Sequence, residues 1–265
     1  MGAAGLLFDI DGVFFVGETA VPGGAEVIEW ADAAGIPYLF VTNTTSNPRT
    51  YLADKLARFG ISTDPARILT PSVAAREWLT EHERTPVALF VPDETVAEFG
   101  DLPRVAAAAE TGAGAVVVGD LGEGWDFATL NRAFRLLSAE PRPPLVALGM
   151  ARFWKDEAGL VLDNGPFVQA LAFASGTEPV VTGKPSADFF HAAAHRLGLP
   201  ASDIVMVGDD VVGDVGGAQR AGMRGVLVRT GKFAAGDLER GITPYAVLDS
   251  VADLPRWWLH SPPGL

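Results

Sequence analysis

Cysteine is absent from all 265 residues, which excludes disulfides, thiolate nucleophiles and cysteine-held metal clusters. Long hydrophobic runs are absent too, since no stretch approaches the ~18 apolar residues that span a bilayer. The first residues, MGAAGLLFDI, carry no basic segment ahead of their apolar stretch, and Leu6 stands where a myristoylation signal needs Ser or Thr. The expectation is a soluble, cytoplasmic chain that makes no membrane contact. Positive charge is scarce: 20 Lys and Arg face 33 Asp and Glu, a formal net charge of -13. Such a field repels nucleic acid and anionic membranes, although a small anionic ligand can bind where the site supplies its own cation. Only Lys55, Lys155, Lys184 and Lys232 are lysines. Of the four histidines, His191 and His195 stand four apart on one helix face, but without the Glu of H-E-x-x-H or a third ligand they read as a solvent-facing pair.

Hydrophobic residues make up 48% of the chain, enough for well-packed cores, and the length suits two domains of roughly 100–150 residues each. Short apolar runs alternate with helical patterns, which predicts an α/β protein with a mostly parallel sheet and helices on both faces. GLLFDI, PYLFVTN, DIVMVGDD and RGVLVRTG read as strands, with GGAEVIEWADAAG, NPRTYLADKLARFG and VGGAQRAG as helices. The middle of the chain repeats this grammar. VALFVPD and GAVVVGD read as strands, PLVALGMARFWK as a strand running into a loop, and DFATLNRAFRLLS as a helix with Phe127, Leu130, Phe134 and Leu137 on one stripe. Pro- and Gly-containing stretches near residues 70 and 180 predict the boundaries: residues 1–71 and 180–265 form one domain and 72–179 a second. The tail tryptophans Trp257 and Trp258 are expected in the core or at a subunit contact.

The run GLLFDIDGVFF poses a physical problem. Its apolar residues predict a strand buried on both faces, yet Asp9 and Asp11 lie two apart, on one side of the chain. Two unpaired buried carboxylates are costly. Ligands in open α/β sheets sit beyond the carboxyl ends of the strands, and the other strand ends offer Thr42, Asn43, Thr44, Thr45, Lys184, Asp209, Asp210 and Asp214. Hard oxygen ligands grouped without histidine or cysteine suit Mg²⁺. Carboxylate, lysine and hydroxyl around that ion are the parts phosphoryl transfer needs.

The order D-x-D-G, T-N, G-K-P and G-D-x-x-x-x-D, spanning Asp9 to Asp214, resembles the haloacid dehalogenase superfamily of phosphatases. The long interval between Thr42 and Lys184 is similar to the NagD-like, class IIA group. GMARFWKDEAGL and GDDVVGDVGGAQRAG resemble its phospholysine phosphohistidine inorganic pyrophosphate phosphatase branch. The resemblance implies a Rossmann-like doubly wound core with an inserted α/β cap of the C2 type, and a Mg²⁺-dependent phosphatase acting on a small phosphorylated metabolite (a phosphomonoester, phosphoamide or pyrophosphate). Asp9 would be the nucleophile forming an aspartyl-phosphate and Asp11 the acid and base. Asp9, Asp11 and Asp209 would hold the metal, with Asp11 using its backbone carbonyl. Thr42, Asn43, Thr44 and Lys184 would bind the phosphate, with Asp210 and Asp214 supporting Lys184 or a metal-bound water. In the cap, Arg152, Phe153, Trp154 and Lys155 form a loop that either faces substrate or closes the cap's own core. Relatives also suggest a homodimer through the cap. Two other readings stay open: a phospho-acceptor signalling module, and a metal-free dehalogenase of the same fold.

Overall fold

The computed structural model describes residues 5–155 and 159–260. The chain forms two compact units, one from 1–42, 49–69 and 184–265 and the other from 43–48 and 70–183. The segment 43–48 thus groups with the inserted unit, although the sequence reading assigns it to the first.

The first unit is built on six parallel strands in the spatial order Ala246–Leu248, Arg224–Val228, Ile204–Gly208, Gly5–Phe8, Tyr38–Val41, Ile68–Leu69. Numbered along the chain this is 6-5-4-1-2-3, the doubly wound order whose crevice opens between the first and fourth strands. Those strands are in register, with Phe8 opposite Val207 on one side and opposite Phe40 on the other. Side chains alternate across a strand, so Leu6, Phe8, Tyr38, Phe40, Val205, Val207, Val226 and Val228 share one buried layer. Against it pack Val27, Ile28 and Ala31 of helix Gly24–Ala33, and Leu52, Ala53 and Leu56 of helix Arg49–Arg58. Each Val, Leu, Ile or Phe among them contributes roughly 1.5–3 kcal/mol by leaving water, which holds the strand ends at one edge. Trp257 and Trp258 pack against this core, the latter edge-on to Trp30 with centroids 6.0 Å apart. Residues expected as one helix after the fourth strand form a π-helical turn, Val211–Gly216, and a short α-helix, Gly217–Arg220.

The second unit carries a parallel sheet ordered Pro179–Val181, Leu145–Ala147, Ala115–Val118, Val87–Phe90. Both faces are covered. Val116, Val118, Leu145 and Ala147 meet Ala133, Leu136 and Leu137 of helix Phe127–Ser138 and Val168 and Leu171 of helix Asn164–Ser175, while Val87, Ala115, Val117 and Val146 meet Ala75 and Leu79 of helix Pro71–Glu81. Phe127 departs from its expected stripe and is 83% exposed. The Asp126 carboxylate accepts the Thr129 N–H at 2.7 Å and starts the helix there. Side chains lean toward a helix's N-terminus, so that of its first residue projects past the packed turns. Phe153–Lys155, read as a loop, is a strand paired antiparallel with Leu160–Leu162. Among the described residues no helix is long and apolar enough to cross a membrane.

Candidate active site

Asp9 follows the first strand and Asp209 the fourth, so both stand at the crevice between them. Asp9 is pinned twice: its backbone N–H donates to the Val207 carbonyl at 2.9 Å, and its Oδ1 accepts the Ile10 N–H at 2.8 Å. Lys184 precedes helix Ala187–Leu197, and its buried ammonium lies 2.7 Å from Asp9 Oδ1 and 2.7 Å from Asp214 Oδ1. The π-helical turn brings Asp214 back under the fourth strand, where its Oδ2 accepts the Asp210 N–H at 3.0 Å. A Cβ on Gly208 would overlap that carboxylate, so only glycine permits the approach. Asp9, Asp209 and Asp214 are all buried, and each offers an oxygen within 4.8 Å of the others.

Three carboxylates against one buried ammonium leave an excess of two negative charges if all ionise. The site responds as electrostatics requires. Burial raises Asp9 above its usual range, Lys184 pulls it back and Asp209 pushes it up again. Asp214 is pushed up to about 7, first by burial and then by Asp9, against the pull of Lys184. Asp209 is pushed up to about 6 by burial, opposed by the Lys232 backbone N–H. Lys184 is itself depressed by burial, but Asp214 and Asp9 more than compensate and hold it charged. A divalent cation matches the residual charge. Asp209 adds a sharper indication, because its Oδ1 is buried with no hydrogen-bond partner, an arrangement proteins avoid unless another ligand fills it. The donor set, carboxylate oxygens with no histidine, fits Mg²⁺.

Other residues expected at the site are placed as follows. Asp11 is exposed and turns to the surface, 4.0 Å from the Lys55 ammonium, which also stands 4.2 Å above the Phe15 ring. Asp210 Oδ1 accepts the N–H groups of Val212 and Gly213 at 2.9 and 2.8 Å, so its carboxylate caps the turn that carries Asp214. Thr42 is buried at the end of the second strand, its N–H donating to the Leu69 carbonyl at 3.2 Å. Asn43 and Thr44 continue from it, exposed and half-buried respectively. In the second unit Phe153 and Trp154 stand 51% and 44% exposed and belong to neither core layer, so they do not close the cap's core. Arg152 and Phe153 line a cavity of about 550 Å³ with Met150, Leu162 and Gln169. The Lys155 side chain lies outside the described residues. His191 and His195 are exposed on their helix.

Sequence reading missed the turn Thr230–Lys232. The Lys232 N–H donates to Asp209 Oδ2 at 2.6 Å, and the Thr230 hydroxyl donates to the Gly12 carbonyl. Its contribution to Asp209 is a backbone donor, which no side-chain pattern announces; the Thr-Gly pair after a buried strand is the one available signal.

Comparison with known proteins agrees with this geometry. Residues 6–102 match the family model described as haloacid dehalogenase-like hydrolase, and residues 181–254 match a second haloacid dehalogenase hydrolase-like model. The human phospholysine phosphohistidine inorganic pyrophosphate phosphatase is 37% identical over 240 residues, covering 89% of this chain and 86% of its own. Among solved structures, a p-nitrophenyl phosphatase from Archaeoglobus fulgidus superposes with a TM-score of 0.86 at 28% identity, covering 96% of this chain and 98% of its own. NagD from Escherichia coli shares the fold at a TM-score of 0.85 and 22% identity, covering 96% and 98%. With its doubly wound core, its NagD-like architecture and a relative of this similarity along most of its length, the chain belongs to the haloacid dehalogenase-like hydrolases.

Proposed function

We propose that the protein is a Mg²⁺-dependent phosphatase that hydrolyses a small phosphorylated metabolite through an aspartyl-phosphate on Asp9. The observation that carries this reading is the cluster in which Asp9 and Asp209 approach within 4.8 Å while Lys184 bridges Asp9 and Asp214. Oδ1 of Asp9 is committed to Ile10 and Lys184, which leaves Oδ2 to attack phosphorus. The P–O bond to the leaving group breaks as the Asp9–phosphate bond forms, and water later cleaves the acyl phosphate to regenerate the carboxylate. Lys184 lies against the nucleophile and neutralises charge on the transferring group. Asp214 and the Asp210 cap below it hold that ammonium in place. Asp11 protonates the leaving oxygen and then takes the proton of the attacking water; its exposure leaves it free to turn toward a bound substrate. Thr42, at the end of the second strand, supplies a donor for the phosphate oxygens. When bound to Asp9, Asp209 and the Asp11 carbonyl, Mg²⁺ would supply Lewis-acid neutralisation of the phosphoryl oxygens.

The relatives' names cover aryl phosphates, phosphoamides and pyrophosphate, and the substrate proposed here falls within that chemical class. The phosphatase reading draws support from the relatives printed with an activity, a phospholysine phosphohistidine inorganic pyrophosphate phosphatase and a p-nitrophenyl phosphatase, and the signalling-module and dehalogenase readings draw none from those two. Assayed with p-nitrophenyl phosphate and Mg²⁺, the wild type should turn over, EDTA should stop it, and excess Mg²⁺ should restore it. Asp9→Asn should be inactive with an unchanged circular dichroism spectrum. Wild-type activity in Asp9→Asn, or undiminished activity in EDTA, would reject the proposal.

A further inference from the structure

We infer that the turn Thr230–Lys232 is a positioning element that selects which oxygen of Asp209 is offered to the metal. The inference rests on the metal reading above and extends it to residues no sequence motif marks. Asp209 is wholly buried, and its two oxygens are treated differently. Oδ2 accepts the Lys232 N–H at 2.6 Å. Oδ1 is equally shut off from water and has no partner. One fixed donor on one oxygen sets the plane of the carboxylate and leaves the other oxygen as its sole free acceptor.

The turn is itself anchored to the opposite wall of the crevice. The Thr230 hydroxyl donates to the Gly12 carbonyl, directly after Asp11. Gly231 has a φ of 62° and Gly12 a φ of 85°, both in the left-handed region that favours glycine. The contact is also too close for any side chain. A Cβ on Gly231 would overlap Asp209 Oδ2 and the Gly12 Cα, and one on Gly12 would overlap the same carboxylate. Two backbone segments, from the first and fifth strand ends, therefore close on Asp209 at the end of the fourth, with no room for a methyl group. The Lys232 side chain is exposed, so its contribution to the carboxylate's orientation is the N–H. Groups that orient a metal ligand in this way commonly govern affinity by about 10–100-fold.

The test is calorimetric titration of the metal-free protein with Mg²⁺, paired with the Mg²⁺ concentration giving half-maximal p-nitrophenyl phosphate hydrolysis. Thr230→Val and Gly231→Ala should each weaken Mg²⁺ binding by about 10–100-fold and raise the half-maximal concentration in step, while kcat at saturating Mg²⁺ changes far less. Thr230→Ser, which keeps the hydroxyl, should bind like wild type. If Gly231→Ala does not fold, Thr230→Val and its serine rescue decide the matter. Wild-type Mg²⁺ affinity in Thr230→Val overturns the inference while leaving the metal reading intact. A wild type that takes up no Mg²⁺ overturns both.

Discussion

Removing the ammonium of Lys184 leaves Asp9 and Asp214 buried together without the cation that both accept from at 2.7 Å. Lys184→Met should therefore cost about 3–5 kcal/mol at pH 8, the usual penalty for breaking a buried ion pair from one side. The loss should shrink toward pH 5. Asp214 already takes up a proton near pH 7 and Asp9 is raised as well, and without the lysine both protonate more readily still. Urea unfolding of wild type and variant at the two pH values measures this. An equal cost at pH 5 and pH 8 would mean that lost packing, not stranded charge, dominates.

At the scale of elements, Asn164 shows how the second unit joins a helix to its sheet. It opens helix Asn164–Ser175 and is buried, and its side-chain amide donates at 3.0 Å to the carbonyls of Val118 and Gly149, both just at or past strand ends. Asn164→Ala strands both acceptors and should destabilise the fold by about 1–3 kcal/mol, read as a lower melting temperature. No change would mean water replaces the amide. The strands themselves were readable from the chain: LLF, YLFV, IVMVG and GVLV are buried runs too short for helices, and the acids, the lysine and the threonine at their ends mark one edge. Less was legible where backbone does the work. The turn carrying Asp214 is π-helical, a geometry with no side-chain period of its own. The Thr230–Lys232 turn acts on Asp209 through an N–H every residue but proline has. Asp210 also acts through backbone, since one oxygen of its carboxylate accepts two adjacent N–H groups and caps that turn, a local role that sequence distance does not reveal.

For the whole molecule, the acid cluster ties stability to pH and, on the proposed function, to Mg²⁺. Asp209 titrates at about 6 and Asp214 at about 7 in the fold, against 3.8 for a free carboxyl. A raised folded-state value means the native protein binds protons more tightly than the unfolded chain. That contribution is full below about pH 4 and is lost as pH climbs through 6 to 7. Mg²⁺ requires the ionised carboxylates, so its stabilisation should run the other way. Saturating Mg²⁺ should raise the melting temperature more at pH 8 than at pH 5, in a paired thermal-shift experiment. Equal shifts at both pH values would place the ion away from these acids.

The strand order 6-5-4-1-2-3 has a further consequence in time. Gly5–Phe8 is sandwiched between Tyr38–Val41, which follows it closely in the chain, and Ile204–Gly208, which does not. On a ribosome adding about 5–20 residues per second, Asp9 waits ~10–40 s for Asp209 to be made. A nascent chain halted before Lys184 holds Asp9 without its counter-charge, without Asp209 and without one flank of its strand, so the buried charge cluster can assemble only late in synthesis.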